Sequence, residues 1–121
     1  MRLPTIRAAF VLLIVIMGTT GCRQSQGIVL GKITEGESCT IQSVKAGGTP
    51  PQVTLKGVMI EKCPVAGCWF RLRDNTSVIK VDTKSAGFAV VNVPLKTRMT
   101  VTGKIAANGS EVEIEATGVR Y

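Results

Sequence analysis

The stretch Arg98-Met99-Thr100-Val101-Thr102-Gly103-Lys104-Ile105, followed by Asn108-Gly109 and then Glu111-Val112-Glu113-Ile114-Glu115-Ala116, decides the fold. Met99, Val101, Gly103 and Ile105 alternate with Arg98, Thr100, Thr102 and Lys104, while Val112, Ile114 and Ala116 alternate with three glutamates. A period of two sends successive side chains to opposite faces of a strand, so each run carries one apolar and one polar face. Asn108-Gly109 between them reads as a hairpin turn, because both residues tolerate a positive φ. The polar faces then set Arg98 and Lys104 against Glu111, Glu113 and Glu115, and cross-strand pairs of that kind contribute about 0.2–1 kcal/mol each to the register.

Further strands are legible upstream. Val53, Leu55, Gly57 and Met59 alternate with Thr54 and Lys56, but Val58 and Ile60 fill the other face, so this strand is expected to be buried on both sides or bulged at Gly57. Phe70 and Leu72 face one way and Trp69, Arg71 and Arg73 the other, before Asp74-Asn75 makes a turn. Ile79 and Val81 face the core in the next strand, with Lys80 and Asp82 outward. Ala46 to Pro51 breaks regular structure. Before it lie a short apolar piece, Ile28 to Ile33, a loop, Glu35 to Ser38, and a segment Cys39 to Val44 that reads as a short strand or one helical turn. Lys84 to Leu95 contains Gly87 and Pro94 and reads as a loop with at most one turn. Five short antiparallel strands in about 100 residues, with no internal repeat, predict an all-β fold: a small antiparallel Greek-key barrel of OB type, with an open β-sandwich as the alternative.

The first residues carry an address. Arg2 and Arg7 are followed by the apolar run Ala8 to Met17 and by Gly18-Thr19-Thr20-Gly21-Cys22. An apolar run of about ten residues is too short to span a bilayer of roughly 30 Å as a helix, so it reads as the core of a signal peptide. Its end resembles the lipobox of bacterial lipoproteins, whose Cys is acylated and becomes the first residue of the mature chain; Thr19 stands where that pattern usually has Leu. Residues 1–21 are therefore read as a lipoprotein signal peptide, 22–27 as a lipidated Cys22 and tether, and 28–121 as a single OB-like domain; an ordinary secreted protein is the alternative. Two or three acyl chains at about 0.8 kcal/mol per buried CH₂ would hold the domain on a membrane. Arg23 follows the Cys, not the Asp of an inner-membrane retention signal, which favours a cell-envelope location on the outer membrane, facing the periplasm.

The 121 residues carry a formal charge of +7, which falls to about +5 once Arg2 and Arg7 are removed. A domain of this size buries roughly 60–70% of its unfolded surface, enough for one core but not for a deep cavity. The basic balance suits an anionic partner such as a glycan or lipid surface. The chain contains no His, which removes the usual general base and both the Ser-His-Asp and Cys-His arrangements. Its carboxylates fall on strand faces and in turns, and its glycines form no phosphate-cradling pattern after a strand. The reading is a non-enzymatic protein, with thiol–disulfide exchange as the one reaction left open.

That reaction would belong to Cys63-Pro64-Val65-Ala66-Gly67-Cys68-Trp69, between two strands. In an oxidising compartment two such thiols form a structural disulfide, a redox pair or metal ligands. A bridge across so small a loop contributes about 2 kcal/mol. Cys39, Cys63 and Cys68 together would suit Cu(I), and less well zinc, which wants a fourth ligand. Met59 offers a thioether but reads as core. Against a redox role stand the four-residue spacing and the lack of a helix N-terminus; Lys62 is the one residue placed to lower a thiol pKa.

Val53 to Ile105 resembles a family of short exported bacterial domains of unknown function, marked by a Cys, four residues, then Cys-Trp. The resemblance rests on Gly57-Val58-Met59-Ile60-Glu61-Lys62-Cys63, Gly67-Cys68-Trp69-Phe70, Ile79-Lys80-Val81, Gly87-Phe88-Ala89-Val90 and Val101-Thr102-Gly103-Lys104. It implies an OB-like fold and an exported location, and no activity.

A second functional class is a binding face built on Trp69, Arg71, Arg73 and Lys80, where an aromatic flanked by cations can stack a ring and hold an anion. An exported domain rarely meets nucleic acid, so an envelope protein or anionic glycan is the better ligand. The structural alternative is that Trp69 packs over the adjacent disulfide or closes the barrel end.

Overall fold

The computed structural model describes residues 27–121; the expected signal peptide, Cys22 and the expected tether up to residue 26 lie outside the described residues. The chain runs β1 (Val29–Gly31), β2 (Glu37–Ser38), α1 (Ile41–Ala46), β3 (Gln52–Lys62), β4 (Trp69–Arg73), β5 (Val78–Asp82), β6 (Arg98–Asn108) and β7 (Glu111–Arg120).

Five of the strands close on themselves. β3 pairs with β4, β4 with β5, β5 with β7, β7 with β6, and β6 returns to β3. This is a small closed barrel of OB type, and no edge of the circuit is left open. The orientation is mixed, which corrects the all-antiparallel expectation: β5 and β7 run parallel, with Val81 opposite Ile114. The cause is the connection from Thr83 to Thr97, which carries the chain across the barrel before the β6–β7 hairpin turns it back beside β5. β1 and β2 are short additions, β1 antiparallel on the end of β7 and β2 parallel on the start of β3.

The alternation read in the sequence builds the core. Val53, Leu55, Met59, Phe70, Leu72, Ile79, Val81, Met99, Val101 and Ile114 are all buried. The bulge of β3 falls between Met59 and Glu61, not at Gly57, which keeps its place in the ladder opposite Met99. The β6–β7 turn is Gly109-Ser110, one residue later than expected: Asn108 still pairs with Glu111, and Gly109 alone turns left-handed, with φ 63°. That is the requirement of a type II′ turn at its first central position. Lys104 does face Glu115, but Arg98 pairs with Val58 and faces no glutamate. Thr102, expected outward, is buried, because β7 bulges at Thr117 and the chain after β1 covers it. Thr34, Thr102 and Thr117 hydroxyls meet there at 2.8 and 3.0 Å.

Of the segment Cys39 to Val44, the part from Ile41 onward is helical, and α1 runs on to Ala46. Thr40 caps it, accepting from Ser43 N–H at 3.2 Å, and Gly47 ends it in the left-handed region at φ 86°. Ile41 and Val44, three apart and so on one face, are buried in the core. Lys84 to Leu95 is a loop, as read, but one with several turns in place of the single turn expected, and it delivers Val90 and Val93 to the core fully buried.

Candidate functional site

The loop from Cys63 to Cys68 joins the end of β3 to the start of β4 and is held from both sides. Cys63 N–H donates to Trp69 O at 3.0 Å, and Gly67 N–H donates back to Cys63 O at 3.2 Å, which closes the loop on itself. Val90 N–H donates to Gly67 O and Thr83 N–H to Cys68 O, both at 2.9 Å, so the loop is clamped onto the segment that plugs the barrel. Lys62 adds a third tie, its Nζ donating to Val93 O at 2.6 Å and to Val91 O at 3.0 Å. Gly67 sits at φ 57°, and a Cβ there would come within 2.5 Å of Val91 N. No other residue fits.

These ties aim backbone donors at sulfur. The N–H groups of Ala66, Val65 and Gly67 and the thiol of Cys68 hydrogen-bond to Cys63 and outweigh the opposing effect of burial, lowering its pKa from 9.0 to about 7. Successive amides turned toward one atom form a concavity that favours an anion, here a thiolate. The cause is thus the loop's backbone and not Lys62, whose ammonium is spent on carbonyls. Val65, at the loop's tip, is 87% exposed, which leaves the site open to a partner.

Cys39 is elsewhere. Its N–H donates to Thr54 O near the start of β3, nine residues before Cys63 and about 30 Å away along the strand. Burial, and then the charge of Glu37, raise its pKa. The three-thiol metal site is therefore not assembled, and among the described residues no group of three His, Cys, Asp or Glu side chains comes together. Met59 is fully buried in the core.

Trp69, Arg71, Arg73 and Lys80 do share the outer face of β4 and β5, with Arg71 opposite Lys80. Their charges are largely answered within the protein. Arg71 Nε lies 3.4 Å from Glu61, Lys80 Nζ lies 4.0 Å from Glu113, and the same ammonium sits 5.5 Å over the Trp69 ring. Such exposed pairs add little stability, but they leave Arg73 as the free cation of the set.

Sequence reasoning missed the amides of Val65, Ala66 and Gly67, because backbone donors have no side-chain signature. A signal was present in Gly67, a glycine inside the loop just before the second cysteine. It also missed Asp74, whose Oδ2 accepts from Ile41 N–H at 2.8 Å while Oδ1 accepts from Thr76 N–H, Thr76 Oγ1 and Ser77 N–H at 2.6–3.0 Å. Burial works against the charge, but these bonds prevail and hold the carboxyl below the usual carboxylate range.

Among solved structures, the chain is similar to the hypothetical protein YgiW from E. coli, at 22% identity and a TM-score of 0.56 over 75% of this chain and 98% of that one. It is also similar to part of the Entamoeba histolytica asparaginyl-tRNA synthetase, at 16% identity and a TM-score of 0.53 over 72% of this chain and 24% of that one. At these identities the likeness is one of fold, a small OB-like barrel shared with a small bacterial protein. No family model and no curated protein matches the chain.

Proposed function

We propose that this chain is a lipid-anchored cell-envelope domain whose working group is the Cys63/Cys68 pair, cycling between dithiol and disulfide. The observation that carries the reading is the loop itself: two thiols at the ends of one short loop that is hydrogen-bonded closed and fixed by Gly67 on the barrel, with backbone N–H groups lowering the pKa of Cys63. The anchor reading rests on the run ending in Cys22, and the envelope location follows from it.

The chemistry needs a partner bearing a disulfide. The Cys63 thiolate attacks one sulfur of that bond, forming a mixed disulfide and releasing the partner's other sulfur as a thiolate, which takes up a proton. Cys68, losing its proton, then attacks the Cys63 sulfur. The second partner thiol leaves, and two electrons have passed from the pair to the partner. Run backwards, the same steps oxidise a partner dithiol. No acid or base beyond the two cysteines is required, which suits a chain without His, and the partner class is an envelope protein.

The competing reading is a structural staple, and the reduction potential separates the two. The full chain, equilibrated in glutathione buffers and counted for free thiols by mass, should gain or lose two hydrogens with a midpoint between about −120 and −270 mV. Cys63→Ser or Cys68→Ser should abolish the transition. A midpoint below about −300 mV would make the bridge a staple.

A further inference from the structure

We infer a second site, at the opposite end of β4 from the thiols: a basic cleft that binds phosphoryl anions. The cleft has a volume of about 610 Å³ and is lined by Lys56, Arg73, Arg98 and Arg120. The ladder explains why they converge. Thr100 of β6 pairs with Lys56 on one side and Arg120 on the other, while Val58 of β3 pairs with Arg98 on one side and Arg73 on the other. Residues two apart on a strand share a face, so the four cations form one outward patch around Thr100 and Val58.

What sets these four apart is their gathering: Lys32, Lys84, Lys96 and Lys104 are also without a side-chain partner among the described residues, but they are not brought four to one cleft. Lys45, Lys62, Arg71 and Lys80 all have hydrogen-bond or ion-pair partners, whereas the head groups of Lys56, Arg73, Arg98 and Arg120 have none among the described residues. Asp74 also lines the cleft, but both its oxygens are engaged by α1 and the β4–β5 turn. Gathering unanswered like charges raises the energy of the empty cleft, and a bound anion relieves it. Three of the four are arginines, whose planar fork matches the oxygens of a phosphoryl group in two parallel hydrogen bonds. Four cations over two rungs of the ladder suit an anion with more than one charge: linked phosphates, or the phosphates of neighbouring lipid headgroups. Gly27, where the chain enters the barrel, lines the same cleft. From Cys22 to Gly27 the chain reaches at most about 18 Å, so an anchored Cys22 would hold the cleft at the membrane surface. The headgroup source rests on that anchor; the cleft does not.

The test uses the full chain, ¹⁵N-labelled, in non-ionic detergent micelles, titrated with sodium tripolyphosphate or with phosphatidylglycerol or phosphatidylcholine mixed into the micelles. Tripolyphosphate should shift the amides of Lys56, Arg98 and Thr100 saturably and leave those of Cys68 and Trp69 in place. Arg73→Gln with Arg98→Gln should weaken that binding at least about tenfold. Lys84→Gln with Lys104→Gln removes the same charge elsewhere and should change nothing. The same shifts from phosphatidylglycerol, with phosphatidylcholine silent, assign a headgroup; a response to tripolyphosphate alone assigns a soluble phosphate. Absence of saturable shifts, or equal weakening in both double variants, overturns the site. Cys63→Ser with Cys68→Ser should leave the titration unchanged, so that failure of the thiol reading and failure of the cleft are seen separately.

Discussion

At the end of the barrel where β4 turns into β5, the core is closed by Ile41 and Val44 on a six-residue helix; where β3 turns into β4, it is closed by Val90 and Val93 on coil. Both plugs bury two branched side chains fully, so their apolar contributions are alike, at about 1.5–3 kcal/mol for each side chain. The difference lies in what holds them. The helix is pinned by a carboxylate, Asp74, which gathers the first helical N–H and the turn together, with Gln42 N–H donating to Thr76 and Lys45 to Ser77 and Val78 beside it. The coil is pinned by backbone hydrogen bonds to Gly67 and Cys68 and by Lys62 on two carbonyls. One end is therefore held by a group that titrates in acid. The other is held by backbone groups and an ammonium and not by a carboxylate, and it is this end that carries Cys63 and Cys68.

The largest effect should come from emptying one plug. Ile41→Ala should cost about 2–5 kcal/mol in urea unfolding, with the thiols still exchanging in the folded fraction. A loss of exchange in folded protein would show that the ends are coupled, and would break the distinction drawn above. Gly67→Ala should cost about 2–3 kcal/mol, from a left-handed backbone and a displaced Val91, and should also slow thiol exchange, because it moves both the amides and Cys68.

Asp74→Asn should cost about 1–2 kcal/mol at pH 7 and change the acid response. The carboxyl is more acidic in the folded state, so its contribution is present above the unfolded value near pH 4 and is lost as pH falls through the lower folded value. Unfolding midpoints compared at pH 7 and pH 3 should fall further for the natural chain than for the variant. The smallest effect concerns rate alone. In reduced protein, iodoacetamide should label Cys63 with a rate that rises up to about pH 7 and then levels, whereas labelling of Cys39 should keep rising past pH 9. Equal profiles would remove the amide cradle from the argument.

The strands were legible because burial on one face of a barrel writes a period of two into the chain, as from Met99 to Ile105. The parallel pairing of β5 and β7 was not, since Val81 and Ile114 look the same whichever way their strands run. α1 was ambiguous because six residues with two apolar positions satisfy either period, and the residue that fixes it, Asp74, lies over thirty positions away. The cysteines announced themselves. The site's electrostatics did not, being made of main chain, and the basic cleft was hidden because Lys56, Arg73, Arg98 and Arg120 meet only once the barrel closes.

That closure joins Gln52 to Lys104 and Lys80 to Glu113, pairings that no local segment can rehearse. Proteins dominated by such distant contacts fold in roughly milliseconds to seconds, slowly for a domain of this size. If the chain is exported as proposed, the delay is useful: it would let the polypeptide pass through a narrow channel before the barrel has time to form.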